Sequence, residues 1–227
     1  MQDQLSATQT NKTVIVIGII IAAVFPSVAM ELFGRLHIMP TQSLFYSRFI
    51  FWGEVLFLWW YAEQYENQKL IIWKEKESGV NFIIKWICFL FLLAMAANMV
   101  SAITKLLGFP ENYPLMRAMA KFLSDKPFLI IFISATAGFC EEVIFRGYVL
   151  TRLTSFFKNE YIPVIISGVL FSAMHYKYHS AREFVFTFLF GMIAGLHYNY
   201  YRNIKPLIIV HFLVDWAALS LLHHFVK

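Results

Sequence analysis

The chain has 227 residues, of which 59% are hydrophobic and only 15% charged, with 24 Phe, 11 Tyr and 6 Trp. Soluble domains average about 45–50% apolar and 25% charged residues, so this composition excludes an ordinary soluble domain and indicates an integral membrane protein. The formal charge of +5 does not point to nucleic acid, because Lys and Arg are scattered among loops and form no basic stripe; anionic lipid head groups are the expected counterpart.

The fold expected is an all-α, multi-pass transmembrane helical bundle of about seven spans. A flexible amino terminus, 1–12, precedes a single membrane-embedded domain, 13–227. The first span covers 13–33 with a kink at Pro26, and is long enough to be an uncleaved helix although Ser27-Val28-Ala29 imitates a cleavage site. The second, 43–65, ends in Trp59-Trp60-Tyr61, which suits a membrane interface. A charged connector, 69–78, is expected in water. The third span, 81–107, carries Lys85 near one end, and Glu54 is expected to pair with Lys85 or Arg48.

Between Pro110 and Lys126 an amphipathic piece, 115–123, puts Arg117 and Lys121 on one face and reads as an interfacial helix lying on the bilayer. The fourth span, 127–157, opens on Pro127, which a first helical turn tolerates. The fifth, sixth and seventh, 160–178, 182–201 and 204–225, follow through short links and are expected to pack as antiparallel neighbours. Gly191 and Gly195 give a small-x-x-x-small spacing for close helix packing. The two cysteines, Cys88 and Cys140, lie inside apolar segments, where a disulfide framework is implausible, and are expected to be packing residues.

The fourth span carries Glu141-Glu142-Val143-Ile144-Phe145-Arg146 near its middle. Ionisable groups at membrane depth cost a few kcal/mol or more and mark functional sites with named partners. Glu142 and Arg146, four apart, share a helix face and can pair, while Glu141 is turned by about 100° and stays free. The fifth span has Phe171-Ser172-Ala173-Met174-His175, and the seventh has His211-Phe212-Leu213-Val214-Asp215, with His211 stacked over Asp215. Polar side chains in spans face the bundle interior, so Glu141, Glu142, Arg146, His175, His211 and Asp215 converge on one cavity. A carboxylate and an imidazole can hold and deprotonate water, and a second imidazole backed by an acid can donate to a carbonyl oxyanion. Alternatively Glu141, His175 and His211 could supply three ligands to zinc, leaving a fourth position for water. No Ser or Cys stands plainly beside a base, which disfavours a covalent nucleophile.

Glu141-Glu142-x-x-x-Arg146, Phe171-x-x-x-His175 and His211-x-x-x-Asp215, in this order on successive helices, resemble the motifs of the CPBP intramembrane proteases, also called the Abi or CAAX protease family. The resemblance covers 127–225. It implies hydrolysis of a peptide bond in or at the membrane, in a prenylated CAAX-type or bacteriocin-type substrate. By the same resemblance Glu141 is the base that activates water with His175, Glu142 and Arg146 organise the site, and His211 and Asp215 stabilise the oxyanion. The family's last motif commonly ends in Asn; an ionised Asp215 accepts but cannot donate hydrogen bonds, and can orient His211 instead. Members have been described both as metalloproteases and as glutamate-dependent proteases. The location implied is the plasma membrane of a prokaryotic cell.

Two other functions compete. A non-catalytic immunity or scaffold protein would keep the fold but has no need of Glu141, His175 and His211. A small proton-coupled transporter would use the same buried acids as a relay, but paired broken half-helices and an internal repeat are not seen. One spacing is in tension with convergence. Glu141 lies about 14 residues, some 21 Å, into a helix that starts at Pro127, whereas His175 stands near the end of its own.

Overall fold

A computed structural model describes residues 11–109 and 111–225, and of Pro40, His223 and Phe225 only the backbone. The expected flexible terminus 1–12 therefore falls outside the described residues except for Asn11 and Lys12, as does Pro110. The described chain is all helix and loop, with no strand. Eight helices follow one another: α1 (Lys12–Arg35), α2 (Pro40–Tyr61), α3 (Val80–Ser101), α4 (Tyr113–Leu123), α5 (Pro127–Glu142), α6 (Tyr161–Met174), α7 (Ala181–Tyr201) and α8 (Lys205–Phe225). The α2 rod ends in a wider turn, Ala62–Glu66. The α5 rod continues through wide turns, Val143–Leu150, and a last turn, Thr151–Leu153.

Seven of these helices answer in position to the seven expected spans, and α4 to the interfacial helix. Four are long and apolar enough to cross a membrane: α1, α3 continued to Leu106, the α5 rod to Leu153, and α8 to Leu222. By contrast α6, with 14 residues, reaches only about 21 Å against a hydrocarbon core of about 30 Å. The charges of Arg48 and Glu54 on α2, and of Arg182 and Glu183 on α7, dilute the hydropathy of those helices.

The α5 rod is the axis of the bundle. Two thirds of its most apolar window is buried (67%) against 22%, 17% and 28% in the other three crossing helices, and every residue from Cys140 to Leu153 is buried. The other helices wrap it and turn apolar faces outward, as lipid-facing helices must. The expectation of antiparallel sequence neighbours holds for α6 and α7, where Gly191 meets the Gly168 backbone so closely that an added Cβ would lie 3.1 Å from its Cα. It does not hold for α8, which packs on α5 and α3. At Gly138 an added Cβ would come within 2.8 Å of the Ile208 carbonyl oxygen and the Phe212 nitrogen. The missing side chain is what lets α8 lie directly against the carboxylate-bearing part of α5.

Three local expectations are corrected. The charged connector is not merely solvated: Leu70, Ile71 and Trp73 pack on the core, and the carbonyls of Lys69 and Leu70 accept from Arg152 at 2.7 and 2.6 Å. Arg152 also grips the buried Glu66 at 2.9 Å, whose other oxygen accepts from Tyr148 Oη at 2.6 Å. Glu54 pairs with neither Lys85 nor Arg48; both its carboxylate oxygens are buried without a hydrogen-bond partner among the described residues. Cys140 is a buried packing residue, but Cys88 faces outward.

The α4 helix has the expected two faces, with Met119, Ala120 and Leu123 buried and Arg117 and Lys121 exposed. In the turn that follows it, the Lys126 ammonium bonds the exposed Asp125 carboxylate at 3.0 Å and holds its pKa below the usual range.

Candidate active site

The tension over depth resolves once residues are counted from the turn that α5 and α6 share. Ser167 Oγ donates to the Phe145 carbonyl at 3.1 Å, which fixes α6 antiparallel to the α5 rod. From Leu153 back to Glu141 is 12 residues, and from Tyr161 forward to His175 is 14, so the two side chains leave the turn to similar depth, about 18–21 Å at 1.5 Å per residue. His175 caps the carboxyl end of α6 and shares a cavity with Glu141.

The centre of the site is Glu142, which has no exposed surface. Its Oε1 accepts from Arg146 Nη1 at 2.8 Å and from His211 Nδ1 at 2.8 Å. The Arg146 guanidinium lies between aromatic rings, 4.6 Å from the Phe171 centroid and 5.8 Å from that of Phe190. A buried charge needs such a set of partners to be tolerated. His211 is thereby held from Nδ1, and its Nε2 faces Glu141 Oε2 at 3.8 Å and Asp215 Oδ2 at 3.9 Å. The closest acid to His211 is thus Glu142 rather than Asp215, and Glu142 orients the ring.

Glu141, Glu142, Arg146, His211 and Asp215 form one contact set. Of these five only Glu141 lines the cavity that His175 also lines, so the six expected residues do not all converge on one cavity, and His175 touches none of the five within hydrogen-bonding distance. Its Nδ1 lies 2.9 Å from the Phe171 carbonyl. A carbonyl only accepts, so Nδ1 carries the proton and the Nε2 lone pair is left for another donor. Glu141 accepts no hydrogen bond from the described residues; its oxygens are available to water.

The cavity has a volume of about 730 Å³ and lies between the carboxyl half of α1, the start of α2, α4 and the α6–α7 link. Much of its wall is apolar, including Met30, Met39, Met119 and Met174, and these unbranched side chains adapt to varied occupants. Arg48, 7% exposed, belongs to this wall and was expected only as a partner for Glu54. A single Arg in an apolar helix carries no spacing signal, so only the packing of α2 against the cavity reveals it. His179, one turn past His175, lines the rim. His197 lies elsewhere, among Phe82, Trp86 and Tyr201, and the side chain of His223 is outside the described set.

Zinc would need Glu141, His175 and His211 within reach of one ion. The Nδ1 atoms of His211 and His175 are held by Glu142 and by a carbonyl, an arrangement that leaves each Nε2 as the atom a metal would use. Among the described residues, however, no three His, Cys, Asp or Glu side chains are grouped so as to hold a metal ion, so as arranged these three do not fit zinc.

Residues 123–217 match the family model described as type II CAAX prenyl endopeptidase Rce1-like. The matched stretch contains all six polar residues of the site, and the resemblance drawn from the three motifs stands over it. The Rce1-like family is a family of proteases that act on peptide or lipidated substrates, and the match together with the four apolar helices marks an integral membrane protein. No curated protein and no solved structure matches the chain.

Proposed function

We propose that the protein is a multi-pass intramembrane endopeptidase of Rce1-like type that hydrolyses a peptide bond of a membrane-associated substrate, prenylated or otherwise apolar, with a water activated by Glu141 and His175. The reading is supported above all by one observation: a carboxylate that accepts no hydrogen bond from the described residues and an imidazole bonded through Nδ1 and not Nε2 line the same cavity. Its setting, by the same reading, is the plasma membrane of a prokaryotic cell.

In the proposed reaction Glu141 takes a proton from the water while the Nε2 of His175 accepts the other O–H, and the oxygen attacks the carbonyl carbon. With Nδ1–H committed to Glu142, His211 can donate to the resulting oxyanion through Nε2 only as the doubly protonated ring, a form balanced by the carboxylates of Glu141, Glu142 and Asp215. The C–N bond then breaks as Glu141 returns its proton to the amide nitrogen, leaving a new carboxyl group and an amine. Glu142 and Arg146 hold the ring and do not touch substrate. No step needs a metal.

The test is a peptidase assay on protein reconstituted in vesicles, with labelled farnesylated peptides and unlipidated membrane peptides, comparing wild type with Glu141→Ala. Cleavage by the wild type and its loss in the variant support the reading. Equal turnover by both proteins rejects Glu141 as the base.

A further inference from the structure

The seam between α6 and α7 keeps one register. An added Cβ on Gly195 would lie 2.9 Å from Val164 Cγ1, and one on Gly191 would lie 3.1 Å from Gly168 Cα. The hydroxyls of Ser172 and Thr187 stand 3.1 Å apart. Each contact lies four positions forward on α6 and four back on α7 from the one before, the spacing that keeps residues on one helix face. The next step on α7 is Glu183, and on α6 it is Tyr176, directly after His175, where the helix has just ended. Glu183 therefore faces the cap that His175 provides. Ser172 Oγ donates to the Phe184 carbonyl at 2.6 Å, which fastens the first turn of α7 to the last turn of α6.

The acid at that place is not spent on the helix start. Ser180 caps α7 by accepting from Glu183 N at 3.2 Å, but the Glu183 carboxylate accepts no hydrogen bond among the described residues and so does not reach back to close a capping box. Its neighbour Arg182 is turned to α3 and the link after it, with Nη2 3.0 Å from Asn98 Oδ1 and Nη1 3.8 Å from Glu111 Oε1. Of the charged groups that act on the His175 ring, Glu183 acts most strongly, ahead of Asp215 and His211 of α8. On Glu183 itself His175 acts most strongly, ahead of Asp215, Arg182 and Glu141. Glu183 is not among the residues that line the cavity, so it meets no substrate there. A carboxylate behind an imidazole whose Nδ1–H is held by a carbonyl makes Nε2 a stronger acceptor and balances positive charge on the ring.

Resting on the endopeptidase reading, we propose that Glu183 is a positioning residue of the reaction: its carboxylate, held at the end of the α6–α7 seam, backs His175 and strengthens Nε2 as the acceptor of the attacking water's O–H. It works through the imidazole alone and takes no proton itself. As the oxygen attacks, the ring's share of positive charge grows against the fixed negative charge of Glu183. The first turn of α7, whose N–H groups favour an acid, helps to keep that charge in place. The row Gly195, Gly191, Thr187, Glu183 thus has two parts. Its three small members bring the helices together, and the fourth delivers an acid to the site.

The experiment measures kcat and KM on one cleavable peptide, in vesicles, for wild type, Glu141→Ala, Glu183→Gln, Glu183→Asp, His175→Gln and the double variant His175→Gln with Glu183→Gln. Glu183→Gln is expected to lower kcat roughly tenfold, the size of one charge acting across a half-buried site, with KM within about twofold. Glu183→Asp, which keeps the charge, should recover most of that loss. On the His175→Gln background the Glu183→Gln change should alter kcat by less than about twofold, because residues that act as a unit are not additive. An acid that merely supports the start of α7 would weaken both backgrounds alike, and that result overturns the proposal. So does a Glu183→Gln protein with wild-type kcat, a loss carried by KM, or a Glu183→Asp protein as slow as Glu183→Gln. If the wild type cleaves, Glu141→Ala is dead and Glu183→Gln is normal, this inference falls alone. If the wild type cleaves nothing, the endopeptidase reading falls and the inference with it.

Discussion

His211 Nδ1 and Glu142 Oε1 lie 2.8 Å apart, and that same oxygen takes Arg146 Nη1 at 2.8 Å. One buried carboxylate therefore fixes a histidine of α8 and an arginine of the α5 rod at once. Removing one member of such a set leaves the others charged and unpaired, which costs about 3–5 kcal/mol. Arg146→Ala and Glu142→Gln should each lower thermal stability markedly as well as activity. Either variant inactive but with the wild-type melting temperature would show that the pair does not hold the fold.

Gly138 decides how closely α8 approaches. Gly138→Ala pushes a methyl group against the Ile208 oxygen and the Phe212 nitrogen, so α8 must shift and carry His211 with it. A misplacement of about 1 Å can cost about 10²-fold in rate, and a loss of that order in kcat is expected. Gly53→Ala, where an added Cβ meets nothing within 4 Å, is the control and should behave as wild type. Equal behaviour of the two variants would refute the close approach as the reason for the glycine.

Arg152 fastens the 69–78 connector to the rod through the carbonyls of Lys69 and Leu70, beside its ion pair with Glu66. Arg152→Met should leave Glu66 and Tyr148 without their cation and destabilise the protein by about 3–5 kcal/mol. It should also expose the connector to protease before the core unfolds. Limited proteolysis checks this; a connector as resistant as in wild type would contradict the clamp.

Much of this arrangement was legible in the sequence, and the reason is period. Glu142 with Arg146 and His211 with Asp215 repeat at four residues, so a shared helix face followed at once, as did the separation of Glu141 from the Glu142–Arg146 pair; its approach to His211 Nε2 at 3.8 Å did not. Spacing could not give what depends on which helices touch. Glu142, not Asp215, became the closest partner of His211 because Gly138 brings α8 onto α5, and Glu66 met Arg152 across 86 positions. The connector looked solvated because Lys74, Glu75, Lys76 and Glu77 dominate it, whereas Trp73 stacks on Tyr198 with ring centroids 5.2 Å apart. Counting from Pro127 gives the wrong depth for His175, since antiparallel helices keep their register from the turn they share.

Glu54 has no hydrogen-bond partner for either carboxylate oxygen among the described residues. Replacing an unpartnered buried polar group by an apolar one of similar shape is neutral or stabilising. Glu54→Met should therefore raise stability or leave it unchanged, by at most about 3 kcal/mol, with activity retained. A dead but well-folded Glu54→Met would place this residue in the chemistry, against the account given.

The proposed reaction uses no metal, so exhaustive chelation followed by dialysis should leave peptidase activity intact. Loss on chelation with recovery on adding zinc would reverse the metal-free reading.

The central claim is that Glu141 and His175 act on one water as a unit. It is tested most directly by kcat for wild type, Glu141→Gln, His175→Gln and the double variant on one cleavable peptide. General base catalysis contributes about 10²–10⁴-fold, and residues that act as a unit are strongly non-additive. Each single variant should therefore lose nearly as much as the double. Losses that multiply independently, or a Glu141→Gln protein that keeps wild-type turnover, would contradict it.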